Sequence, residues 1–242
     1  MTLSTGPTFI KQYFLSIRLS AEGCNLSVFD ESGALLSTKK VTKSVYALST
    51  DEIIALMTEE TLLNYRTVRL ICESDSYTFI PAPIFKKEEA ADLFHFQFKQ
   101  VKTDQIILNR IPKWDTVNVF SIPKTVYNAL AHVFPDAIIE HHLSYFLSEY
   151  VKPLPESCVY IEVRGSVMDV VVITKGAIQL INSYTFNTSE DFTYYTLNLF
   201  DKLSLDTENC NVVLFNGEKN TELQKMLELY LEVINGEKWV GS

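Results

Sequence analysis

Val159-Tyr160-Ile161-Glu162-Val163-Arg164-Gly165-Ser166-Val167-Met168-Asp169-Val170-Val171-Val172-Ile173 is the stretch on which the fold turns. Two apolar runs of strand length, Val159–Arg164 and Met168–Ile173, flank a short break that contains Gly165, which reads as a β-hairpin. Gly176-Ala177 then turns the chain into a third strand. The same order stands about 145 residues earlier: Tyr13–Arg18, Cys24–Asp30, a turn at Glu31-Ser32-Gly33, and a third segment Ala34–Val41. Gly33 and Gly176 sit where a tight turn needs positive φ, which glycine adopts without steric penalty.

Both copies run on into a helix with a matching start signal. Ser49 or Thr50 precedes Asp51-Glu52, and Thr188 or Ser189 precedes Glu190-Asp191. A hydroxyl there caps free amides, and the carboxylates favour the positive end of the helix dipole. A buried strand follows each helix, Val68–Cys72 in one copy and Val212–Phe215 in the other. The unit is therefore β-β-β-α-β, present twice.

Composition bounds the rest. The chain has 242 residues, of which 47% are hydrophobic, enough to fill one large core or two ordinary ones. No apolar run reaches the roughly 18 residues of a membrane span, and no basic region followed by an apolar stretch opens the chain, so the expectation is a soluble, cytoplasmic protein. A net charge of −9 argues against an extended nucleic-acid surface. Cys24, Cys72, Cys158 and Cys210 lie in or beside expected strands and form no Cys-x-x-Cys pair, which favours reduced structural thiols over zinc.

The halves are unequal because of what lies between them. Tyr77–Phe85 reads as a short extended segment limited by Pro81 and Pro83, and Lys87–Phe98 has helical periodicity. Gln105–Ile111 and Thr116–Ile122 read as a hairpin. A helix starts at Pro123 and stops at Pro135, followed by a strand at Ala137–Ile139 and a helix from Leu143 to Val151. The proline-bearing linker at Lys152–Glu156 is the expected boundary, giving a first half over 1–152, with an inserted segment around 77–122, and a second half over 153–242. A closing helix is expected to carry Leu223, Met226, Leu227, Tyr230 and Leu231 on one stripe.

Phe14–Phe29 as an opening hairpin, Ser76-Tyr77-Thr78-Phe79-Ile80-Pro81 after the fourth strand, and Tyr160–Ile173 as a second hairpin together resemble an uncharacterised, mainly Bacteroidetes family with an actin-like ATPase (ribonuclease H-like) fold. The superfamily includes actin, the seventy-kilodalton heat-shock chaperones and sugar kinases. The resemblance implies an α/β fold with a duplicated β-β-β-α-β unit, two mixed sheets and flanking helices. Trimmed actin-like domains in pilus and type II secretion platforms extend the analogy to an assembly role.

In active members of that superfamily each opening hairpin carries an aspartate, small glycines and a hydroxyl, so that backbone amides approach phosphates and a carboxylate orients magnesium-bound water. Here the first hairpin offers Ser16, Arg18 and Ser20. The second places Glu162 where the acid belongs but Arg164 and Val167 where glycine and threonine would stand, leaving Gly165 and Ser166 in keeping. The adenosine-side glycine pair is reduced to Asn216-Gly217, which a plain strand-to-helix turn explains equally well. Only 8 glycines are available to build phosphate loops. Arg18 and Arg164 are read as occupying matching places, either binding an anion across a cleft or forming salt bridges to Glu162 or Glu22.

Glu140-His141-His142 invites a metal reading, which is set aside because adjacent histidines on an extended segment point to opposite faces. His95 and His132 read as ordinary imidazoles, and the aromatic runs Phe94–Phe98 and Phe192–Tyr195 as core or interface. Two functions remain. The first is a non-catalytic binding or scaffold protein, with no required cofactor, whose cleft or inserted segment takes an unidentified protein partner or a small anion; a homodimer is left open. The second is a divergent magnesium-ATP-binding ATPase or kinase using Glu162 and Asn216-Gly217.

Overall fold

Alternation in the opening strand fixes the first layer. In β1 (Phe14–Ser20) Leu15, Ile17 and Leu19 are buried while the residues between them are half-buried, so one face of the strand is committed to a core. The computed structural model describes residues 13–60, 65–99, 104–215 and 221–236. β1 pairs antiparallel with β2 (Gly23–Phe29), which pairs antiparallel with β3 (Leu35–Val41). After α1 (Thr50–Glu60), β4 (Thr67–Cys72) returns parallel to β1.

The inserted segment builds a small sheet of its own. β5 (Tyr77–Pro81), β6 (Gln105–Ile111) and β7 (Thr116–Ile122) pair in the order β5-β7-β6, with α2 (Ala90–Gln97) against β7. α3 (Lys124–Val133) then leads to β8 (Ile138–His141), which joins β4 in parallel. The hairpin read at Gln105–Ile122 is formed with those bounds.

The second unit repeats the first. β9 (Ser157–Arg164), β10 (Val167–Thr174) and β11 (Ala177–Thr185) form a meander, α5 (Ser189–Leu203) crosses over, and β12 (Cys210–Phe215) pairs parallel with β9. α6 (Thr221–Leu227) precedes β13 (Val233–Asn235), parallel to β12. Strand orders are β3-β2-β1-β4-β8 and β11-β10-β9-β12-β13, identical position by position. The duplication read from sequence is thus a duplication of topology.

Local chemistry explains the agreement. Ser49 and Glu52 form a capping box: the Glu52 N–H donates to Ser49 Oγ (3.4 Å) and the Ser49 N–H to Glu52 Oε2 (3.0 Å). Thr188 caps α5 in the same way, its Oγ1 accepting from the Asp191 N–H at 3.1 Å. Lys175 and Gly176 both have positive φ (53° and 74°) in the two-residue β10–β11 turn, as a type I′ hairpin requires.

Each unit has its own core. In the first, Leu15, Ile17 and Leu19 meet Ile53 and Met57 of α1 and Val126, Ala129 and Leu130 of α3, both helices using i, i+3 and i+4 spacings. In the second, Val159, Ile161, Val163, Val170 and Val172 meet Phe192, Leu199 and Phe200 of α5 and Leu223 and Leu227 of α6. Each fully buried aliphatic or aromatic side chain contributes about 1.5–3 kcal/mol. The chain divides within α4 (His142–Glu149), into Met1–Tyr145 and Phe146–Ser242. Among the described residues no helix is long and apolar enough to cross a membrane.

The expected closing helix is corrected at its end. α6 stops at Leu227, Leu223, Leu227 and Leu231 are buried, and Tyr230 is exposed. The chain then extends into β13, because β-branched Val233 and Ile234 pair with β12 rather than prolong a helix.

Candidate functional site

The hairpin β9–β10 holds the densest buried polar chemistry of the second unit. Glu162 on β9 and Asp169 on β10 are directly opposed in the antiparallel register, and Ser183 on β11 is opposed to Asp169. Three polar residues therefore form one row across three strands, and Asp169 and Glu162 are buried. Arg164 lies diagonally to Asp169 and grips it with two parallel hydrogen bonds, Nε to Oδ2 and Nη2 to Oδ1 (3.1 Å). Ser183 Oγ donates to the same carboxylate at 2.6 Å. Three donors on one buried carboxylate neutralise and fix it, which a charge removed from water requires.

Gly165 and Ser166 make up the whole turn, since Arg164 pairs with Val167. Gly165 has φ 57°, the conformation for which glycine stands there. The Ser166 carbonyl accepts from the Phe186 N–H at 2.9 Å.

The first hairpin closes the same way, with Ser20 opposite Gly23 around Ala21-Glu22. Aligning the two hairpins by their turns places Ser20 against Arg164 and Arg18 against Glu162. Arg18 and Arg164 therefore do not occupy matching places; they are two register positions apart. Both arginines form ion pairs within the sheet, with carboxylates that the sequence reading did not name: Arg18 Nε donates to Glu73 Oε1 at 2.7 Å, and Arg164 holds Asp169. Cross-strand geometry explains this, because Glu73 follows the end of β4 beside β1 and Asp169 is the diagonal neighbour of Arg164.

Ser20 is engaged within its own turn, donating to the Gly23 carbonyl (3.2 Å) and accepting from the Glu22 N–H (3.3 Å). A Cβ on Gly23 would stand 2.0 Å from the Val41 carbonyl oxygen, so this glycine serves close packing of β2 on β3. Asn216 and Gly217 lie outside the described residues. Asp169, Ser183 and Glu73 were missed in the sequence. The available signal was Asp169 itself, the one charged residue in the apolar run Val167–Thr174.

His141 and His142 are both buried, with ring centroids 4.2 Å apart, so the expectation that they point to opposite faces is overturned. The chain passes from β8 into α4 between them, and the period-2 alternation of an extended strand ends there. His141 Nδ1 accepts from the Leu143 N–H (3.3 Å), which leaves Nε2 to carry the proton donated to the Ser74 carbonyl at 2.9 Å. Asn118 Nδ2 donates to Ser144 Oγ at 2.9 Å nearby. Among the described residues no group of three or more His, Cys, Asp or Glu side chains is placed to hold a metal.

All four cysteines are buried thiols outside any disulfide. Burial pushes the Cys72 and Cys158 thiols up to about 12 and Cys210 to about 11. A cavity of about 810 Å³ in the first unit is lined by Ile54, Arg66, His132 and Asp136 among others, at the end of the sheet opposite the β1–β2 turn. Ligands of open α/β sheets bind at the carboxyl ends of the strands, and this cavity lies at the opposite end of β1 and β4.

A family model described as a protein of unknown function, DUF3822, matches residues 5–234. The chain belongs to this family. The fold is that of the actin-like ATPases. A crystal structure of a protein from Bacteroides thetaiotaomicron with actin-like ATPase fold and unknown function is similar over 94% of this chain and 93% of its own, at 26% identity and a TM-score of 0.75. A chain of the PilM–PilN type IV pilus biogenesis complex is similar over 95% of this chain and 90% of its own, at 11% identity and a TM-score of 0.52, a likeness of fold alone. No curated protein matches this chain.

Proposed function

We propose that this DUF3822 protein is a non-catalytic actin-like protein that works by binding a protein partner. One observation carries the reading: in the second hairpin, where an active relative would present small residues to phosphate, Arg164 fills the space and is committed to the buried Asp169. A guanidinium held in this way is part of the sheet, and the carboxylate it holds is not available to orient metal-bound water. The first hairpin supports the same reading, because Arg18 and Ser20 are engaged by Glu73 and by their own turn. Occurrence of the fold in the PilM–PilN complex agrees with a role in assembly.

The test is release of phosphate from magnesium-ATP by the purified protein, run beside Glu162→Ala. No turnover above the variant is expected; turnover abolished by Glu162→Ala would overturn the proposal. The second reading, a divergent ATPase or kinase, draws on the direct opposition of Glu162 and Asp169 across β9 and β10. It requires magnesium-dependent ATP binding, which titration calorimetry at millimolar nucleotide would detect.

A further inference from the structure

We draw no further inference here: the strongest candidate, the cavity at the end of the first sheet where β4 begins, lined by Arg66, His132 and Asp136, has Tyr65 in its wall directly after residues 61–64, which lie outside the described ones, so nothing in the structure shows what covers it.

Discussion

Replacing Arg164 by methionine tests whether the second hairpin is built for stability or for a ligand. The substitution keeps most of the side-chain length and apolar stem but deletes both guanidinium hydrogen bonds to Asp169, whose side chain is fully buried. Removing one partner of a buried ion pair costs about 3–5 kcal/mol, because the remaining charge has lost its compensation. At about 2–4 °C per kcal/mol for a chain of this size, the melting temperature should fall by roughly 10 °C. Calorimetry and urea unfolding would measure it. The double variant Arg164→Met with Asp169→Leu should recover most of the loss, since replacing both charges by apolar groups is often neutral or stabilising. An arginine retained for an anionic ligand behaves in the opposite way, its removal leaving the free protein as stable as before. A single variant within about 1 kcal/mol of wild type, or a double variant no more stable than the single, would refute the structural reading of this pair.

Three further outcomes follow from the same geometry. Gly23→Ala should destabilise by about 3 kcal/mol or more, because its Cβ meets the Val41 carbonyl, whereas Gly33→Ala, in open space at φ 83°, should cost only about 1–2 kcal/mol; urea denaturation of both compares them. The four thiols should resist a disulfide reagent at pH 8 in the native protein and all react in denaturant, since burial raises Cys72 and Cys158 to about 12 and leaves almost no thiolate. Hydrogen bonds from Ser49 hold Glu52 below its ordinary value, and those from Ser32 and Ala34 do the same for Asp30. Depressed carboxylates contribute stability that is present above their unfolded values and lost as pH falls through the folded ones. Melting temperature should therefore drop through the acid range, and Glu52→Gln should lessen the drop.

The fold was largely legible because its signals are local. Strand alternation in Leu15-Ser16-Ile17-Arg18-Leu19, the glycines of two tight turns, and the Ser49–Glu52 and Thr188–Asp191 caps all act within a few residues, where sequence and structure are nearly the same thing. Legibility failed where partners come from different strands. The spacing of Arg164 and Asp169 makes them diagonal neighbours only once the turn is fixed as the two residues Gly165-Ser166, and nothing local says that Glu73 will stand beside Arg18, because the β1–β4 register is set by pairing across the sheet. The two histidines failed for a related reason: the strand ends between them, and the rule of alternating faces ends with it.

Sequence alone thus determined the duplicated β-β-β-α-β unit, its inserted hairpin and its capped helices, since each depends on short-range backbone preference and hydrophobic period. Tertiary structure alone decided that the hairpin arginines are engaged by carboxylates, that Ser20 and Gly23 serve their own turn, and that six of the seven residues of β3 are exposed while most of β11 is half-buried. Those outcomes depend on which elements become neighbours, and long-range packing fixes that.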